Sequence, residues 1–538
     1  MTKTTLRAFM MTGAAVLALG ACKDKDAASH AAAAIDVPGL SSADIDKHFD
    51  VTSTTVDAAS AEAALADLSL DAPSDMFSWD SKSGDNGTYT YKDLTLRSDD
   101  AEATTTIGTL TLTNVSSGDN GAELDKMVAE DIKIFDGTSD TGELNIESIT
   151  VVEPDMDQVR AFFASDGDMD GLPSADAFSL VGMKGRINDD DAKGTIEIAK
   201  IAFAQPTSVE ARDGFAMMDD ISLDITGEDN GEPMVIKMSL DDLTASGLAD
   251  VGMFTGDMSA LANMTSMNNP ANLPFKSVSL KDFDMSMDTF SIDMDSAKAV
   301  YEEKGDRITG RSSMAPMTIR FTGAPSNSEL MPLYEGLQQI GYDEIVISAG
   351  GDSVIDLKAD TMEAKNNFIE MKDGFRLEMD YVFGGAKAMM DAQKAALADV
   401  GPAPGPDAES WEHQAYTQQM MGASMSGIEN MTMKEATIRF DDNNIVDKIF
   451  EVVAAEQGTS AKSLRMQTKG LLAMGTMMAQ GSGVDPEMAS EMIEAAGEFL
   501  DNPGSALVIK VKPGTATPMM DLPSLNKAAM GFSASVDK

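Results

Sequence analysis

The chain has 538 residues and a formal charge of −49, from 89 acidic and 40 basic side chains. A surface of that sign repels nucleic acid and anionic head groups and argues against both as partners of the body. With 43% hydrophobic residues the chain is too apolar for disorder, and with one cysteine, Cys22, it has no internal disulfide.

The N-terminus reads as an export signal. Lys3 and Arg7 give a short positive region, and Ala8 to Leu19 is almost unbroken apolar sequence. That run is too short for a stable bilayer-crossing helix and has the length of a signal-peptide core. It ends in Leu19-Gly20-Ala21-Cys22, which resembles the lipobox of bacterial lipoproteins. The resemblance implies cleavage between Ala21 and Cys22, and acylation of Cys22 that anchors the chain to a membrane. Lys23 after the cysteine is similar to the enterobacterial pattern for the outer membrane, on its periplasmic side or at the cell surface. The expected organisation is a signal over 1–21 and a lipid-anchored flexible tether over 22–75, rich in Ala, Asp and Ser, with a helix within Ser60–Leu70.

A β-rich body is expected over 76–327. Its recurring unit is two alternating apolar residues, two polar ones, then two more alternating apolar residues. It occurs as Tyr89, Tyr91, Leu94, Leu96; as Leu144, Ile146, Ile149, Val151; as Ile196, Ile198, Ile201, Phe203; as Met238, Leu240, Leu243, Ala245; and as Val278, Leu280, Phe283, Met285. Alternation places successive side chains on opposite faces, so the extra polar residue requires a bulge or bend, or a change of strand. Asp-Asn-Gly turns at 85–87, 119–121 and 229–231 separate the strands. Within this body, Asp166-Gly167-Asp168-Met169-Asp170-Gly171 is similar to the first half of an EF-hand loop. Asp166, Asp168, Asp170 and Asp176 are the candidate calcium ligands, although Ala177 stands at the twelfth position and Pro173 replaces the usual aliphatic residue.

A β region with helical inserts is expected over 328–440, the inserts being Ser328–Gly341 and Gly385–Val400. A mostly helical region follows over 441–538, with helices at Asn444–Glu456, Ser460–Gln480 and Asp485–Leu500 and a closing strand at Ala506–Lys512. The fold class is α+β: mainly antiparallel, curved β-meander sheets, a helical C-terminal region and a returning final strand. Phe499-Leu500-Asp501-Asn502-Pro503, Leu507 to Pro513 and the long amphipathic strands resemble uncharacterised alphaproteobacterial envelope proteins, loosely AsmA-like ones. That resemblance implies open, lipid-lining sheets, on a lipid anchor in place of the transmembrane helix such proteins carry.

No catalytic constellation is found. His30, His48 and His413 are scattered, and there is no nucleophile elbow, Walker loop, dinucleotide fingerprint or His-Glu-x-x-His. Calcium apart, no cofactor is implied. The 41 methionines supply adaptable apolar surface. The expected function is non-enzymatic: a periplasm-facing lipoprotein holding an apolar ligand such as a lipid on a Met-rich curved sheet. The alternative is a structural or interaction lipoprotein with a closed core and an acidic, calcium-binding surface. A carboxylate hydrolase is a third class that the sequence gives no means to place. The first two differ in whether an apolar sheet face stays open.

Overall fold

The computed structural model describes residues 35–74, 77–97, 103–136, 142–163, 175–188, 192–208, 211–229, 232–248, 251, 275–325, 330–400, 415–416, 418–419, 422–423, 426–479 and 485–538. Two helices open the described chain, α1 (Ser42–Phe49) and α2 (Ala58–Asp67). The strands that follow are β1 (Phe77–Ser78), β2 (Ser81–Asp85), β3 (Thr88–Arg97), β4 (Ala103–Thr113), β5 (Ser116–Gly118), β6 (Gly121–Glu123), β7 (Lys126–Asp136) and β8 (Gly142–Pro154). After α3 (Met156–Phe163) come β9 (Ala175–Asn188), β10 (Ala192–Ala204), β11 (Gly214–Asp229), β12 (Glu232–Leu248) and β13 (Ser277–Met287). These belong to one compact unit, and the elements from β14 onward to a second.

In the first unit β3, β4, β7, β8, β9, β10, β11, β12 and β13 pair antiparallel in chain order, a meander. The parity change expected in mid-strand is made by single residues in the left-handed region. Tyr91 pairs with Leu110 and Leu94 with Ile107, leaving Asp93 at φ +52° between them. Asp131, Gly182, Asp220 and Asp282 take the same place in β7, β9, β11 and β13, at φ +56°, +66°, +45° and +45°. Asp and Gly tolerate this conformation, where a β-branched residue would be strained. At Gly182 an added Cβ would also meet the Glu147 side chain at 2.4 Å. The bulge returns the second apolar pair to the face of the first, so Ile196, Ile198, Ile201 and Phe203 of β10 are all buried.

Of the stretch 22–75 expected as a tether, residues 40–51 pack on this sheet and α2 packs beside the β5–β6 hairpin, where Ser60 Oγ accepts the Ser117 amide and Asp67 the Ala122 amide. α1 begins in a capping box, Ser41 Oγ accepting the Asp44 amide at 3.2 Å while Asp44 accepts the Ser41 amide at 3.3 Å. Leu40, Ile45, Phe49 and Val51 cover Val152, Ala177, Ala202, Ala204 and Phe215. Buried Asn114 accepts the Thr54 amide at 2.7 Å and donates to Thr52 O at 3.0 Å and to Asp125 at 2.7 Å. α2, capped by Asp57, buries Ala61, Ala64 and Leu65, with Leu68 and Leu70 buried just beyond it. These apolar side chains, spaced for one helix face, supply enough burial to dock a segment whose bulk composition looks like linker.

The second unit continues with β14 (Phe290–Lys304), β15 (Arg307–Phe321), α4 (Met331–Gln339), β16 (Glu344–Asp356), β17 (Thr361–Met371), β18 (Phe375–Gly384), α5 (Ala386–Ala398) and β19 (Thr432–Asp442). Helices α6 (Ile445–Glu456), α7 (Ala461–Ala479) and α8 (Pro486–Asp501) come next, then β20 (Ala506–Val511), β21 (Thr517–Pro518), α9 (Lys527–Met530) and β22 (Ser533–Asp537). Strands β14 to β20 pair antiparallel in chain order, and β22 returns to lie beside β20. The fold is thus a mixed α+β arrangement, mostly antiparallel sheet, with a C-terminal helical region and a final strand that joins the sheet. Buried Asp442 joins helix to sheet. Its carboxylate accepts the Asn444 and Val446 amides at 3.0 and 3.1 Å, starting α6, and the Gly504 amide at 3.2 Å, fixing the Asn502–Gly504 turn ahead of β20.

Candidate functional site

Phe375, Leu377, Met379, Tyr381 and Phe383 alternate along β18 and so share one face of the sheet. The register extends that face sideways. Leu377 lies opposite Ile369 of β17 and Phe440 of β19, Met379 lies opposite Ile438 of β19, and Ile438 lies opposite Ile509 of β20. In β17 the register shifts between Ala364 and Phe368, where Asn366 sits at φ +57°, and this keeps Met362 on the same side as Ile369 and Met371. The opposite face carries ion pairs beside Phe368 and Val508: buried Arg376 is held between Glu370 at 2.7 Å and Glu378 at 2.8 Å, and Arg439 bonds Asp441 and Asp537.

Among the described residues, helices cover this apolar face only at its ends. At one end Leu337 of α4 packs with Tyr342, Met371, Phe375 and Ile445. At the other, Ala386, Met389 and Met390 of α5 pack with Met362, Tyr381, Phe383 and Met431. Phe499 of α8 stands edge-on to Phe440 at 5.8 Å. Between these covers Ile369, Met379 and Ile438 remain 36%, 45% and 40% exposed. Leaving each of them partly in water forgoes about 1 kcal/mol of burial. From β17 to β20 the floor spans about 14 Å, taking about 4.8 Å per strand. Apart from the Tyr381 phenol its described side chains are apolar, so the arrangement can hold an apolar chain by dispersion contact.

Of the residues singled out from sequence, Ala21, Cys22, Asp166, Asp168, Asp170, His30 and His413 lie outside the described residues. Asp176 is described, exposed near the start of β9. It faces another carboxyl group: Glu153 titrates above the usual range through burial, then the charges of Asp176 and Asp125, with a hydrogen bond to Asp176. Among the described residues no three His, Cys, Asp or Glu side chains gather as metal ligands. His48 packs edge-on to Phe215 at 5.5 Å, with Nε2 3.2 Å from Asp213 O, and burial followed by the Lys47 charge lowers its pKa. It helps to dock α1. The neighbouring Asp213 is pushed up by burial, but Lys47 at 2.9 Å and the amide and hydroxyl of Thr207 outweigh that and bring it down to about 2. No helix among the described residues is long and apolar enough to cross a membrane. The floor itself was not singled out from sequence; the strict alternation of Phe375 to Phe383 was the available signal.

A protein family described as "Uncharacterized protein" matches residues 368–535, which include the strands β18 to β20 of this floor. No curated protein and no solved structure matches the chain.

Proposed function

We propose that the chain is a non-enzymatic lipoprotein of the cell envelope that holds an apolar ligand, a lipid acyl chain, on the open floor of its C-terminal sheet. The observation that carries this reading is the contiguous exposure of Ile369, Met379 and Ile438 at neighbouring register positions. Monomeric proteins bear single exposed apolar residues routinely, but a connected patch between two covered ends marks a contact surface. An acyl chain fits its length and lack of charge. Anchoring through Cys22 after cleavage at Ala21 is part of the proposal and is supported by the lipobox-like Leu19–Cys22.

Native mass spectrometry of the purified protein tests the ligand. Co-purifying lipid is expected, and Met379→Glu with Ile438→Glu should abolish it while leaving the melting temperature unchanged. Lipid-free protein, or lipid retained by the double variant, overturns the reading. Intact mass from the native host tests the anchor, which fails if Cys22 is unmodified and still joined to residues 1–21. Calcium binding by Asp166, Asp168, Asp170 and Asp176 belongs to the alternative, an interaction lipoprotein with an acidic face. Titration calorimetry with calcium, parent against Asp176→Asn, decides it.

A further inference from the structure

A second apolar surface lies away from the floor, on α7. Met466, Leu471 and Met474 are 61%, 68% and 57% exposed. Met466, Gly470 and Met474 follow at intervals of four, with Leu471 beside them, so they form one stripe along the helix. The flanking cations turn inward: Arg465 pairs with Asp447 of α6 and Lys469 with Asp501 of α8. Exposed Lys462 stands at the N-terminal end of the stripe. Residues 457–484 contain no Asp or Glu, the longest acid-free run in a chain that holds 89 acids. The apolar stripe and the local loss of negative charge thus coincide on one helix.

We propose that this face of α7 lies in the interfacial layer of a phospholipid bilayer, with Met466, Leu471 and Met474 among the upper acyl chains and Lys462 at the level of the phosphates. An interfacial helix needs an apolar stripe with cations at its border, and it lies in the plane of the membrane without crossing it. The charge pattern selects this occupant. α7 itself carries no Asp or Glu, and Asp447 and Asp501 beside it are paired with Arg465 and Lys469, so this face repels an anionic surface less than the rest of the acidic body does. A second copy is the poorer fit. Two chains of −49 repel, and one stripe of three large side chains falls well short of the about 800 Å² per partner of a stable interface. The inference rests neither on the sheet floor nor on acylation at Cys22.

The test uses the full chain carrying Cys22→Ser, so that no acyl anchor contributes. A cysteine introduced by Met474→Cys takes an environment-sensitive dye, and Lys510→Cys on the sheet serves as the control position. Vesicles of phosphatidylethanolamine and phosphatidylglycerol are expected to shift the emission of the dye at position 474 to the blue and to leave that at position 510 unchanged. Met466→Asp with Leu471→Asp should weaken the partition reported at position 474 about tenfold, with an unchanged circular-dichroism melt. No shift at position 474, equal shifts at both positions, or a vesicle-independent dimer that the double substitution abolishes would overturn the proposal.

Discussion

The two units are built from similar strands and finished differently. In the N-terminal unit the residues 40–51 lie over Val152, Ala177, Ala204 and Phe215, and the exposed large apolar side chains Phe135 and Val235 stand apart on β7 and β12. In the C-terminal unit the helices cover the ends of one face, and the residues exposed between them, Ile369, Met379 and Ile438, are neighbours. Both units use mid-strand left-handed residues to keep apolar pairs on one side, Asp220 in one and Asn366 in the other. Strand patterning therefore makes an apolar face, and the connections decide whether that face becomes core or surface.

The comparison breaks most readily at its covered end. Phe215→Ala removes a fully buried ring beneath α1 and should cost about 3–5 kcal/mol in urea unfolding. A loss below about 1 kcal/mol would mean that the docked segment is no part of the fold. Asp442→Ala leaves the Asn444, Val446 and Gly504 amides without their acceptor and should cost about 2 kcal/mol, with faster amide exchange at the start of α6.

The docked segment also has an acid signature. Asp213 titrates at about 2 in the folded chain against an ordinary 3.8, so its contribution is complete above pH 3.8 and is lost as pH falls through about 2. Lys47→Met should flatten that part of a stability-against-pH curve. Glu153 shifts upward, and the sign reverses: its folded form holds the proton longer, so stability falls as pH rises through its range. Glu153→Gln should melt above the parent at neutral pH, the gap closing on acidification. The smallest effect is expected on the floor. Met379→Ala should change stability by under about 0.5 kcal/mol in lipid-free protein, because the side chain is already half in water. A cost of core size there would show that the floor is covered.

Much of the β architecture was readable along the chain. The pair of polar residues between Leu240 and Leu243, or between Leu280 and Phe283, announces the parity change, and the bulges lie there. The helices after Asp442 and the strand beginning at Ala506 were readable from caps and turn residues such as Asp485-Pro486 and Asn502-Pro503-Gly504. The docking of α1 was not. Ile45, Phe49 and Val51 are three apolar residues in a stretch that composition reads as linker, and their partners Ala177, Ala202 and Phe215 lie more than a hundred residues away. The pairing of Asp176 with Glu153 was hidden for the same reason, since it depends on β8 and β9 lying side by side.

By itself the sequence determined the period, the turns and the helix ends, because these follow from φ, side-chain alternation and hydrogen bonds within a few residues. Only the tertiary structure decided which apolar faces meet a cover. Burial depends on contacts between residues far apart in the chain, and Met379 and Phe375 have the same local pattern: Phe375 packs under α4 and Met379 is left open.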